Sequence, residues 1–428
     1  MKLSHFLLVL PLLLVACQSE VKPVVNHDDY AVYLSVSKVV GYSIDADMKF
    51  WSDRLLRMPG DEASLTKLAC LYSSRFRKTG NVSDIQMSDS LLLHLHRRSP
   101  GAPGPLLGLA QNSITQHQFK EAKAFARKAL AIGDRKAAAM LVLTDVALEL
   151  GNTSEAKWLL KKFTNQHSFA HLIRQVKLDD HEGNLDSAIC KMEMAYSRVK
   201  GNKTLACWAQ SNLADMYGHA GRISEAYRTY LDVLRVDHSY DYALKGIAWI
   251  AISHDQNYHE AKKIIKVLAS RSRMPEAYLM LAEIAEAEGN DVEKKNQLKT
   301  FISLTDRPGY QTMYAKYLVL LYAEEMNNAE KALAISQNEI RNRPNAQSYD
   351  LMAWSLLKAG KKAEALEIAR QFVVDRTFEP DASYHLGMIY LANGLEDEAK
   401  QSLKKALESS FELGPSITKE IQRQLEQF

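Results

Sequence analysis

The chain has 428 residues, of which 46% are hydrophobic and 25% charged, an ordinary balance for a globular protein able to bury a sizeable core. Its formal net charge is +3, too small for a bulk field that draws in nucleic acid or an anionic membrane. Four cysteines over this length exclude a disulfide-built fold.

At the amino end, Met1-Lys2 leads into Phe6-Leu7-Leu8-Val9-Leu10 and Leu12-Leu13-Leu14. This apolar run is shorter than the ~20 residues a membrane span needs, so residues 1–16 read as a signal peptide. A core helix is the alternative, as is a signal peptide with a chance cysteine. The ending Leu14-Val15-Ala16-Cys17 resembles the lipobox of bacterial lipoproteins. That resemblance implies that Cys17 becomes the new amino terminus and carries diacylglycerol and an acyl chain such as palmitate. Gln18 follows, not Asp, which by the same resemblance implies sorting to the outer membrane. Acyl chains hold a protein to one leaflet without spanning it. Residues 17–44 then read as the lipidated cysteine and a tether, with Tyr30 to Leu34 fitting helix or strand.

Residues 45–60 read as a capping helix. Met48, Trp51 and Leu55 share one face, and Pro59-Gly60 stop it. Later, Gly101-Ala102-Pro103-Gly104-Pro105 reads as a turn with Pro105 opening the next helix.

The strongest pattern lies toward the carboxyl end. Met352-Ala353, Leu356, Gly360, Ala365, Ala369 and Phe372 recur 34 positions later as Leu386-Gly387, Tyr390, Gly394, Ala399, Leu403 and Ala406. Small residues recur at fixed points and Gly marks a turn. Asn212-Leu213-Ala214, Tyr217, Gly221, Ala226 and Tyr230 repeat the pattern. Leu281-Ala282, Ala285, Gly289, Leu298 and Phe301 do so with Lys294 in place of a small residue. Leu143, Ala147, Gly151, Ala156 and Leu160 fit, as do Leu109-Ala110, Ala122, Ala126 and Ala129. Here the chain resembles the tetratricopeptide-repeat family. The resemblance implies an all-α, right-handed superhelical solenoid of about ten helix-turn-helix units over residues 61–412. One unit cannot bury its apolar face alone, so stability is expected to pass between neighbouring units. Gly414-Pro415 then break one helix and start another over residues 415–428. Ile417, Ile421 and Leu425 line one side of it, as expected of a helix capping the last repeat.

Cys190 and Cys207 are the nearest pair of the remaining cysteines. On antiparallel helices their sulfurs would lie roughly 9 Å apart along the axis, beyond the ~7 Å between Cα atoms that a disulfide tolerates. Three buried thiols, with Cys70, are the expectation. No phosphate loop, His-Glu-x-x-His or Gly-x-Ser-x-Gly is present. His167 and His171 are spaced for one helix face but have no carboxylate at ligand spacing. The expectation is no metal, no cofactor, no catalysis and no small-molecule substrate.

The family resemblance places ligands on the concave face, lined by the first helix of each unit. Carried over residue by residue, it offers Trp208, Asp215, Glu276, Glu283, Glu286 and Trp354 as groove residues. They make an acidic groove with aromatic anchors, expected to face solvent and to hold a basic or polar segment of a partner protein. A solvated helix face without a partner fits the same carboxylates. The basic clamp of chaperone-binding members is missing. The leading reading is a lipid-anchored interaction scaffold of the cell envelope. A structural subunit of an outer-membrane assembly or secretion complex is the alternative. A site hidden between repeats is disfavoured by the missing motifs.

Overall fold

The computed structural model describes residues 23–35, 44–271 and 275–428. Cys17 and the apolar leader lie outside the described residues. Every regular element within them is a helix, and ten hairpins follow one another along the chain. They are α3 (Glu62–Thr79) with α4 (Val82–Arg98), α5 (Pro103–Thr115) with α6 (Phe119–Ile132), and α7 (Lys136–Glu149) with α8 (Thr153–Lys161). Next come α9 (Phe169–His181) with α10 (Leu185–Val199), α11 (Lys203–His219) with α12 (Ile223–Val236), and α13 (Asp241–Ser253) with α14 (Tyr258–Arg271). The array ends with α15 (Glu276–Ala287) and α16 (Asp291–Thr305), α17 (Ala315–Glu324) and α18 (Ala329–Asn342), α19 (Ala346–Lys358) and α20 (Lys362–Phe372), and α21 (Pro380–Ala392) and α22 (Glu396–Leu407). Outside the hairpins stand α1 (His27–Leu34), α2 (Ile44–Arg57) and α23 (Ser410–Leu425).

The repeat pattern explains the packing. Ala226, Ala365 and Ala399 on the second helices are fully buried. A methyl group there lets two backbones cross closely, and a larger side chain would overpack the crossing. Lys294 occupies the equivalent place in α16. Its side chain stays largely covered, and its ammonium is accommodated by two carboxylates, 2.7 Å from Glu286 and 2.8 Å from Glu325. Asparagines open many helices: the side chains of Asn152, Asn202, Asn290 and Asn328 each accept a first-turn N–H. The second helix of each hairpin packs on the first helix of the next, and first helices also touch each other along the inner layer.

Three local expectations change. Pro103, not Pro105, sits in the first position of α5, where its missing N–H costs nothing. Cys207 is buried, whereas Cys70 and Cys190 are exposed, and all three are free thiols. The stretch read as tether contains a docked element. The Val24 and Val25 N–H groups donate to the Asp255 carboxylate at 2.9 and 2.8 Å, and Tyr30 is wholly buried with its hydroxyl donating to Glu260. Arg271 donates to the Tyr33 and Leu34 carbonyls at 2.8 Å. Helix α1 is thereby fixed across α12 and α14 in the middle of the array.

The superhelix is tight enough for its turns to touch. The Tyr310 hydroxyl donates to the Gly80 carbonyl at 2.9 Å, 230 positions away, and accepts from the Val82 N–H at 3.2 Å. Thr312 donates to the Gln116 carbonyl, Asn342 to that of His117, and Asn345 to that of Glu149. Arg343 and Glu149 form an ion pair at 2.6 Å. Early units are thus clamped to late ones, beyond the neighbour-to-neighbour stacking that the repeat alone implies.

Tyr310→Ala removes two of these hydrogen bonds and the contact with the small cluster of Phe76, Val82 and Ile85. The expected loss is about 3 kcal/mol, and hydrogen exchange should speed up at least tenfold in α3 and α4 while α12 to α14 keep their protection. Unchanged protection in α3 and α4 would show that the seam transmits nothing.

Candidate functional site

The first helices α11, α13, α15, α17, α19 and α21 line the concave side, and part of that space is already filled. Helix α23 does pack on α22, but it also contacts α11, α13, α15 and α21. Phe411 lies against Gly218, where an added Cβ would come within 2.5 Å of the ring. The Phe411 carbonyl accepts from Trp249 Nε1–H at 3.0 Å and from the Ser253 hydroxyl at 2.7 Å. Gly414, at φ 77°, then turns the chain so that a fresh helix starts beside α15. The first N–H groups of that helix need acceptors. Glu283 faces the Ser416 N–H at 3.4 Å, and Glu286 accepts from the Ser416 hydroxyl at 3.1 Å. A carboxylate at a helix amino terminus also meets the positive end of its dipole. Burial nevertheless pushes the Glu283 carboxyl above its ordinary pKa range.

The six groove residues expected from sequence therefore separate. Glu283 and Glu286 are engaged internally, holding α23. Trp354 does not face solvent: it is 1% exposed, its Nε1–H donates to Glu324 at 2.7 Å, and its ring stacks on His385 at 4.1 Å. The position that lines the groove in other units here meets α21, and the indole fills that contact. His385 in turn bonds Asp350 at 2.7 Å.

Trp208, Asp215 and Glu276 remain at one stretch of the concave face. Trp208 is partly buried, edge-on to Phe169 at 6.0 Å. Asp215 accepts from the Tyr230 hydroxyl and, at 2.7 Å, from that of Tyr242. Burial pushes its carboxyl above the usual range, opposed by those two hydrogen bonds. Tyr242 and Glu276 border one small apolar hollow with Lys245 and Met280. Glu276 accepts from the Tyr314 hydroxyl at 3.4 Å, and its other oxygen has no partner.

Sequence reasoning missed the tyrosines. Tyr242 and Tyr317 stay 40% and 39% exposed on this face. Burial, with Asp215 beside it, pushes Tyr242 far above the normal phenol range, and burial also raises Tyr317. Both hydroxyls stay protonated; that of Tyr242 already donates to Asp215. The signal was present as Tyr240-Asp241-Tyr242 and Tyr314 to Tyr317, at the starts of two first helices. No group of three or more metal-ligating side chains stands together among the described residues.

A family model described as tetratricopeptide repeat matches residues 380–412, the α21–α22 hairpin. A curated relative, cellulose synthase operon protein C of Pseudomonas fluorescens (strain SBW25), is 23% identical over 346 residues. The match covers 76% of this chain but 27% of that protein, so the chain spans about a quarter of the relative's length. Among solved structures, pilF of Pseudomonas aeruginosa is similar at 15% identity and a TM-score of 0.37, over 50% of this chain and 97% of that one. A tetratricopeptide repeat protein of Parabacteroides merdae ATCC 43184 is similar at 18% identity and a TM-score of 0.34, over 67% of this chain and 96% of that one. Among the described residues the hairpins follow one another as tetratricopeptide repeats do, and the hairpin near the end of the array matches that repeat's family model.

Proposed function

We propose that the chain is a lipid-anchored scaffold of the bacterial cell envelope, at the outer membrane, that binds a segment of a partner protein along its concave face and catalyses nothing. The observation that carries the binding site is the pair of accessible rings, Tyr242 and Tyr317, on the face that also holds Asp215 and Glu276. A tyrosine offers an apolar ring and a hydroxyl together, and aromatic anchors supply much of the energy of protein interfaces. The nearby carboxylates favour a basic or polar segment and chiefly affect association rate and salt response. An extended segment fits better than a helix, because α23 already takes a helix-wide share of the groove. The anchor rests on the Leu14-Val15-Ala16-Cys17 ending behind an apolar run.

A second reading has its own observation. With α23 inside the groove, the outer faces and edges are the surfaces left for assembly, which favours a structural subunit of an outer-membrane or secretion complex. Because the curated relative is named for a cellulose synthase operon, a cellulose synthase assembly is the first complex to seek in a pull-down from detergent-solubilised envelope.

Cys17→Ser should move the protein from the membrane to the soluble fraction, since buried acyl CH₂ groups contribute ~0.8 kcal/mol each. Failure of labelled palmitate to enter the wild-type chain rules the anchor out. For the groove, Tyr242→Ala and Tyr317→Ala should each weaken partner retention by about 1–2 kcal/mol, read as roughly tenfold faster dissociation in the pull-down. A partner held equally well by the double variant would move the contact to the outer faces, as the second reading requires.

A further inference from the structure

A cavity of about 230 Å³ lies where late units meet early ones, walled by α17, α18, α19, α21 and the turn after α5. It opens toward the concave face beside Tyr317. Its wall mixes apolar surface with charged side chains, and most of those charges are countered by a neighbour. Lys316 pairs with Asp381, Arg343 with Glu149 at 2.6 Å, and His385 with Asp350 at 2.7 Å. Two carboxyl groups are left over. Glu379 accepts from Gln347 at 2.7 Å and is exposed. Glu339, on α18, is only 5% exposed and accepts no hydrogen bond from another described residue, although its oxygens are not sealed from the cavity. One oxygen of Asp350 is also without a partner.

A carboxyl largely withdrawn from water and without a protein donor favours its neutral form until a cation meets it. Such groups call for a missing partner. The wall has spare acceptors in Glu339 and Asp350, and its spare donors are Arg343 Nε and the Tyr317 hydroxyl. A molecule rich in donors and positively charged meets both the spare acceptors and the two uncountered carboxyl groups. We propose that this cavity is a binding site for a primary ammonium group, received by Glu339 with support from Asp350. An ammonium brings three donors on a compact charge, and the volume admits the short alkyl chain behind it. The group can come from a small amine or from a lysine side chain of a partner segment lying in the concave channel. This inference does not depend on the peptide reading, because a free amine satisfies it alone.

Protonation supports the geometry. Burial pushes the Glu339 carboxyl up to about 7, with Arg343 opposing and Glu149 adding to the rise. An incoming cation must displace that proton, so affinity should grow with pH through this range. Other groups around the cavity titrate or carry charge. On α17 these are Lys316 and Tyr317, on α19 Asp350, on α21 Asp381 and His385, and just before α21 Glu379. His117 reaches in from the turn after α5, its imidazole pushed down by burial, while Asp350 holds His385 above its ordinary value against burial. The pH profile must therefore be read against a variant that lacks only the Glu339 charge.

The test is calorimetric titration of the full chain with n-butylamine, with n-butanol as the neutral control. Glu339→Gln keeps the shape of the side chain, and an unchanged melting temperature confirms the fold. The wild type should bind n-butylamine and not n-butanol, about tenfold more tightly at pH 8 than at pH 6. Glu339→Gln should lose at least tenfold in affinity and most of that pH dependence. A Gly-Gly-Lys-Gly-Gly peptide separates the sources: binding as tight as butylamine, with the same loss in Glu339→Gln, identifies a lysine side chain, whereas binding of butylamine alone identifies a small amine. No heat from either probe up to 10 mM, or equal affinity in wild type and Glu339→Gln, overturns the proposal and leaves a cavity filled by water.

Discussion

Fully buried alanines where two helices cross are the constraint on which this architecture depends. With Ala226, Ala365 or Ala399 at the crossing, the two backbones of a hairpin approach as closely as a methyl group allows. That closeness sets the angle between hairpins, and the angle, repeated, sets the curvature of the array. A looser crossing would open the superhelix and pull Tyr310 away from Gly80 and Arg343 away from Glu149. The clamp between turns is thus a long-range consequence of a local volume. The same curvature brings α23 within reach of α11 and α13 and creates the cavity that Glu339 lines.

Closure also changes how stability is distributed. In an open solenoid each unit leans on its two neighbours, and the ends fray first. Here α3 and α4 lean on the segment between α16 and α17, and α1 is bound across α12 and α14. The middle units therefore hold both the amino-terminal segment and the carboxyl-terminal helix. Trp249 and Ser253 of α13 bond Phe411, while Asp255, just after α13, bonds Val24 and Val25. The two ends of the described chain meet near one helix, and damage there should be felt at both.

Much of the fold was legible in the sequence because the repeat is a local signal. Gly360 and Gly394, with their flanking alanines, are enough to place two hairpins, and periodicity carries the rest. What was not legible depends on pairings between units, not within one. Nothing near Trp354 in sequence announces that His385 will cover it. Nothing near Glu283 announces that its partner is the N–H of Ser416, 133 positions away. The break at Gly414-Pro415 was readable as the start of a helix, but not that helix's destination, since an amphipathic helix fits an end cap and a groove equally well. The tether reading of residues 17–44 failed in part for the same reason: Val24, Val25, Asn26 and Tyr30 find their acceptors on α12, α14 and the loop before α14.

The groove that family resemblance offered as one acidic surface is better understood as three environments. Beneath α23, Glu283 and Glu286 satisfy the start of a helix, so replacing them should disturb the fold before it disturbs any partner. Around Asp215 and Glu276, the carboxylates are half-enclosed among tyrosines whose rings stay open to solvent. At the seam, Glu339 lines a cavity and accepts no hydrogen bond from another described residue. The three carboxyl groups Glu283, Asp215 and Glu339 share the same first cause of a raised pKa, burial, and differ in what opposes it. For Glu283 the opposing groups belong to α23, for Asp215 they are two phenols, and for Glu339 there is only the guanidinium of Arg343, itself engaged by Glu149. The carboxyl least compensated within its own chain is the one for which an outside cation has most to offer.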